Sequence, residues 1–163
     1  MKSAEMAGIE AIVAGRNPFK FKPTDFFDGV ASIRESFAQL VNCQASEVAL
    51  IPSTSYGFST VLKNISAKSG AKAIVVQDEF PSGYFSMARW AKENHAELVT
   101  ISPDPAISTK GESWNTRLLE SIDSNTAVVL ISSVHWMSGL KFELAAIGAR
   151  CQEVGAVFIV DGT

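Results

Sequence analysis

The residues with the most chemistry to offer sit where apolar runs give way to turns. Asp161 follows Val157-Phe158-Ile159-Val160 directly. A carboxylate at the end of a buried strand must be paired or shift its ionisation. A protonated ring nitrogen would suit it as a partner. Ser53-Thr54-Ser55 lies between an apolar run and a helical pattern. Free N–H groups and the positive end of a helix dipole make such a junction an anion site, with the Thr54 and Ser55 hydroxyls as extra donors. Simple N-capping is the competing reading. Phe80, in Asp78-Glu79-Phe80-Pro81-Ser82, puts an apolar ring where a strand opens to solvent. The ring could stack on a flat cofactor or serve as a core aromatic under a loop. Ser132-Ser133-Val134-His135-Trp136 follows another apolar run. His135 and Trp136 could line a substrate pocket, although a lone histidine more often holds structure together.

The elements that position these residues follow from periodicity. Ala127 to Ile131 and Ala156 to Val160 are continuous apolar runs, as parallel strands buried on both faces require. The helix-period segment between them, with Leu144, Ile147 and Val154 apolar, makes a βαβ unit. Upstream, Met1 to Gly15 reads as a short helix with Met6, Ile9, Ile12 and Val13 on one face. Arg16 to Pro23 is a loop, and Phe19, Phe21, Phe26 and Phe27 either pack it down or contact another subunit. Gly29 to Asn42 is an amphipathic helix with Ile33, Phe37, Leu40 and Val41 apolar. Ser46 to Pro52 is expected as the first sheet strand, followed by a helix with Phe58, Val61, Leu62 and Ile65 inward. Ala73 to Val76 is the second strand, Pro81 to Asn94 a helix, and Leu98 to Ile101 the third strand. A Pro-rich loop spans Ser102 to Glu112, and Ser113 caps a helix reaching Ile122. The fold class is α/β, a three-layer α/β/α arrangement with a mostly parallel sheet wound right-handed.

Bulk properties narrow the function. The 163 residues are the size of one domain, and 47% are apolar, enough for a core. With 14 basic and 17 acidic residues the net charge is −3, which gives no electrostatic case for nucleic acid or an anionic membrane. No apolar run approaches ~18 residues. Glu5 and Glu10 interrupt any signal-peptide core. Cys43 and Cys151, without CxxC or clustered His, read as reduced thiols of a cytoplasmic protein, and no metal site is expected. The glycines form neither GxGxxG nor a P-loop, which weighs against a dinucleotide-dependent enzyme.

Taken in order, these segments resemble the class V aminotransferase family of fold-type I pyridoxal phosphate enzymes, from about Phe26 to Thr163. VALIPSTSYGFSTVL is similar to the family's phosphate segment and EFPS to its ring-stacking segment. SSVHWMSG is similar to the end of strand four, and FIVDGT to the aspartate motif. The resemblance implies pyridoxal 5'-phosphate as cofactor, with Thr54 and Ser55 on the phosphate and Phe80 stacked on the ring. It places Ser133 near the ring hydroxyl, with Ser132 competing for that place, and Asp161 on the ring nitrogen. His135 and Trp136 would lie near substrate. It implies a large-domain portion over residues 26–163, preceded by a helix and loop over 1–25. The substrate would be an amino acid, undergoing transamination, desulfuration, epimerisation or β-elimination in a homodimeric parent.

Departures from the pattern carry their own expectations. Tyr56 stands where many members carry an acidic residue, and Phe80 where desulfurases carry His. A desulfurase-type Cys loop is missing. The Schiff-base lysine and the small C-terminal domain are expected beyond Thr163, so the chain reads as an inactive piece of a longer polypeptide. In the family's sheet the first strand joins the others through later strands. Val48 to Ile51 is therefore expected to stand apart, and Val157 to Val160 to form an open apolar edge. A non-catalytic scaffold that keeps the fold without the lysine is the alternative.

Overall fold

A computed structural model of the chain describes residues 1–106 and 110–163. The chain divides into two compact units, Met1–Leu50 and Ile51–Thr163. The boundary expected at residue 25 falls inside the first of them, at the start of a helix.

The first unit holds helix α1 (Lys2–Ala14) and helix α2 (Asp25–Val41), with short 3-10 turns at Pro18–Lys20 and Ala45–Glu47. Helix α2 starts four residues before the expected Gly29, because the Asp25 carboxylate accepts the Lys22 N–H and organises the entry. It ends where Asn42 turns left-handed at φ 56, a conformation Asn tolerates. Ala38 is the one buried apolar residue of α2. Ile9, Ile12, Phe26, Phe27, Ile33 and Leu40 are all exposed.

The second unit carries the sheet. In chain order it contains α3 (Thr54–Leu62), β1 (Lys72–Val76), α4 (Pro81–Glu93), β2 (Glu97–Ile101), α5 (Lys110–Ser121), β3 (Thr126–Ser132), α6 (Leu144–Val154) and β4 (Val157–Asp161). The strands lie in the order β2-β1-β3-β4, and every pairing is parallel. Strands β1 and β3 are central and almost wholly buried. Strands β2 and β4 are edges, with Val157 and Val160 each 39% exposed. The open edge expected at β4 is therefore present.

Side chains of the central strands alternate between two cores, as the two-residue strand period requires. Ile74, Val76, Val129 and Ile131 pack with Leu118 and Trp114 of α5 and Ile147 and Cys151 of α6. Ala73, Val75, Val128 and Leu130 pack with Phe58 and Leu62 of α3 and Met87, Trp90 and Ala91 of α4. The three-layer architecture follows from this alternation. Gly83 lets α4 approach the sheet closely, since a Cβ there would meet the Leu130 Cδ2 at 2.9 Å.

Three local expectations need correction. Val48 to Ile51 is not a sheet strand: Val48 is extended, but no described residue pairs with this segment. A lone extended run has no ladder partner, and isolation was the outcome anticipated for it. Val61, expected inward, is 43% exposed on the outer side of α3. Ser113 does not cap its helix, because α5 already begins at Lys110. Its hydroxyl instead accepts the Asp104 N–H at 3.1 Å. The loop expected from Ser102 to Glu112 includes residues 107–109, which lie outside the described residues.

Candidate active site at the strand tips

The carboxyl ends of the parallel strands, where ligands bind in open α/β sheets, gather the chemistry-bearing residues of the second unit. Helix α3 is capped by Ser53, whose hydroxyl accepts the Tyr56 N–H at 3.2 Å. The capping reading and the anion reading thus divide the motif. Ser53 does the capping, while Thr54 and Ser55 occupy the first turn, where backbone N–H groups lack helical partners.

Asp161 ends β4 and is 7% exposed. Its Oδ1 accepts the Thr163 N–H at 3.0 Å and the Thr163 hydroxyl at 2.6 Å. The Thr163 Oγ1 is in turn 3.4 Å from Thr54 Oγ1. The start of α3 and the aspartate therefore lie on one side of the sheet, two hydrogen bonds apart. Thr163 was not singled out in the sequence. A hydroxyl two residues after a strand-end aspartate is the signal that could have marked it.

Phe80 immediately precedes Pro81, the first residue of α4, and is 44% exposed. Its ring meets Trp136 edge-on, with centroids 5.4 Å apart. Ser133 follows β3 and donates its N–H to the Asp161 carbonyl at 2.9 Å. Ser132 is buried, and both its N–H and its hydroxyl bond Glu79, at 2.9 and 2.5 Å.

His135 is 3% exposed. Its Nε2 lies 3.1 Å from the carbonyls of both Gln77 and Asp78, so that nitrogen carries the hydrogen. Its Nδ1 accepts from Ser138, 2.9 Å from the hydroxyl and 3.3 Å from the N–H. Its ring rests 4.9 Å from that of Trp114. Both nitrogens are spent inside the protein, and the geometry favours the structural role weighed for a lone histidine over a substrate contact. Trp136, 53% exposed, adds a 2.7 Å bond from Nε1 to the same Asp78 carbonyl. Together the two side chains clamp the turn after β1, in which Asp78 adopts a left-handed φ of 53.

Away from the strand tips, Lys72, Asp123 and Cys151 sit in structural surroundings. The Lys72 Nζ sits 2.6 Å from Asp123, and that hydrogen bond holds the Asp123 carboxyl below its ordinary value of 3.8. Burial pushes the Cys151 thiol up to about 11, so it is inert at neutral pH. Among the described residues no helix is long and apolar enough to cross a membrane.

The arrangement fits a flat, phosphorylated, ring-nitrogen molecule. It offers unpartnered donors at a helix start, an exposed ring face and a mostly buried carboxylate, all beside one row of strand tips. Comparison with known proteins points the same way. The profile of the family described as Aminotransferase class-V matches residues 21–163. Among solved structures, a complex between the cystine C–S lyase C-DES and its product cysteine persulfide superimposes with a TM-score of 0.77 at 20% identity, covering 94% of this chain and 43% of that one. A C-DES mutant with glycine covalently linked to its pyridoxal phosphate cofactor gives 0.73 at 17%, covering 96% and 41%. The cysteine desulfurase CsdA from Escherichia coli gives 0.72 at 19%, covering 82% and 33%. The chain thus spans about two fifths of the C-DES chains it matches. No curated protein matches the sequence.

Proposed function

We propose the following for this chain, which belongs to the class V aminotransferase family: its strand tips form the cofactor-binding part of a pyridoxal phosphate enzyme acting on an amino acid. The observation that carries the reading is the hydrogen-bonded path from Thr54 through Thr163 to Asp161. It brings the first turn of α3, with its free N–H groups, beside the Asp161 carboxylate, which supports a small phosphorylated ring reaching both.

In this reading Thr54 and Ser55 bind the phosphate with hydroxyl and N–H donors. Phe80 covers one ring face and excludes water from it. Ser133 approaches the ring hydroxyl, because Ser132 has already committed its own hydroxyl to Glu79. Asp161 holds a proton on the ring nitrogen, and Thr163 orients its carboxylate through Oδ1. When bound, pyridoxal phosphate supplies an electron sink for bonds broken at the substrate's α- or β-carbon. His135 and Trp136 contribute by fixing the turn that carries Phe80.

Carbon–sulfur amino acids are the substrates to try first, since C-DES is a cystine C–S lyase and CsdA a cysteine desulfurase. Phe80 in the stacking position separates this chain from a typical desulfurase and keeps transamination, epimerisation and β-elimination in the panel. A homodimer in the cytoplasm completes the reading. The exposed apolar residues along α1 and α2 supply a surface that a second copy could cover.

The test is titration of pyridoxal 5'-phosphate into the purified protein, followed by the circular dichroism induced in the cofactor. A saturable signal that inorganic phosphate weakens is expected. Absence of any induced signal would overturn the assignment.

A further inference from the structure

Glu79 is the buried acid that none of these roles uses. It is 5% exposed and lies at the hinge between β1 and α4. A buried carboxylate is costly unless donors surround it, and here three do. The Phe80 N–H donates to Oε1 at 2.8 Å, the Ser132 hydroxyl to the same oxygen at 2.5 Å, and the Ser132 N–H to Oε2 at 2.9 Å. One donor belongs to the residue that carries the stacking ring. The other two belong to the last residue of β3, which is in register with Asp161 of β4.

We propose that Glu79 is a positioning residue of the cofactor site: its carboxylate ties the Phe80 turn to the tip of β3 and so sets the Phe80 ring relative to Ser133 and Asp161. The inference rests on the cofactor reading above. The path is short. Glu79 holds Ser132, Ser132 pairs with Asp161, and the Ser133 N–H donates to the Asp161 carbonyl. Stacking and nitrogen pairing act on one rigid ring, so the two contacts must keep a fixed separation, to within about half an ångström in a preorganised site. The clamp from His135 and Trp136 grips the Gln77 and Asp78 carbonyls, and Trp136 meets the Phe80 ring edge-on, whereas Glu79 bonds the Phe80 N–H and Ser132 directly. The chemistry also explains the residue type. All three neighbours are donors, and only a carboxylate accepts on both oxygens. An amide of the same shape would turn an N–H₂ group against the N–H of Ser132 or Phe80.

The test compares wild type, Glu79→Gln, Ser132→Ala and Ile122→Val, the last loosening the core on the opposite sheet face. Two quantities are read: amide hydrogen exchange at Phe80 and Ser132 without cofactor, and the dissociation constant for pyridoxal 5'-phosphate. Glu79→Gln is expected to speed exchange at both amides and to raise the dissociation constant, each about tenfold, the scale of one lost hydrogen bond to a charged group. Ser132→Ala shifts both the same way by less and serves if Glu79→Gln does not fold. Ile122→Val leaves both near wild type. Exchange in the Glu79 or Ser132 variants no faster than in Ile122→Val, or an unchanged dissociation constant, overturns the proposal. A wild-type protein with no cofactor signal overturns the cofactor reading instead, and the exchange arm then decides by itself whether Glu79 fixes Phe80.

Discussion

Replacing His135 by Phe separates a structural histidine from a substrate-contacting one. The ring volume and the stack on Trp114 are kept, while every hydrogen bond of the imidazole is lost. Two of the affected groups retain other partners: the Asp78 carbonyl keeps Trp136 Nε1, and the Ser138 hydroxyl keeps the Leu140 N–H. The Gln77 carbonyl and the Ser138 N–H lose the contact. An orphaned buried polar group costs about 1–3 kcal/mol. Gln77 and Ser138 are both on exposed residues, so water restores part of each, and the low end applies. The expected loss is about 2 kcal/mol, or roughly 5 °C in melting temperature for a domain of this size. Urea unfolding followed by far-UV circular dichroism measures it. A loss below about 0.5 kcal/mol, the level of a neutral surface change, would refute the argument and return His135 to the substrate.

Gly83→Ala gains about 0.8–1 kcal/mol in helix propensity, but its Cβ would press to 2.9 Å from Leu130 Cδ2. Overpacking of about 1–3 kcal/mol wins, so urea denaturation should show a net loss near 1 kcal/mol, and a gain would show that α4 can shift outward. Asp161→Asn should weaken pyridoxal phosphate binding about tenfold or more, the scale of one charge-assisted hydrogen bond, in the same dichroism titration. The Lys72–Asp123 pair sets a pH dependence: the folded carboxyl titrates below its unfolded value of 3.8, so its stabilisation is present above that value and lost as pH falls through the folded one. Lys72→Met should flatten the acid limb of thermal stability below about pH 5, though only modestly, since the Asp123 side chain is 49% exposed and screened by solvent.

Much of the candidate site could be proposed from the sequence because its residues are placed by chain-local signals. Phe80-Pro81 starts a helix, Ser53 caps one, and Asp161 terminates an apolar run; each is a feature of a few adjacent residues. Glu79 was not singled out, since its function depends on Ser132, 53 residues away. Thr163 was missed although its bond to Asp161 spans only two positions, and its contact with Thr54, 109 positions away, is the part no local signal carries. His135 was read with both roles open, and the carbonyls of Gln77 and Asp78 that favour the structural one lie 58 and 57 positions away. The misplaced start of α5 reflects a different limit: Ser113 has the chemistry of a cap, but its hydroxyl was needed by Asp104 across the loop.

Periodicity and turn chemistry by themselves determined the alternation of strands and helices, the parallel sheet and the identity of the residues at its tips. Those properties arise from interactions within a few positions of each residue, which the order of amino acids encodes directly. The tertiary structure alone decided that β1 and β3 are central and that Thr54, Thr163 and Asp161 meet. Pairing and convergence are set by which distant surfaces bury one another, and many orders of the same strands satisfy the same local pattern.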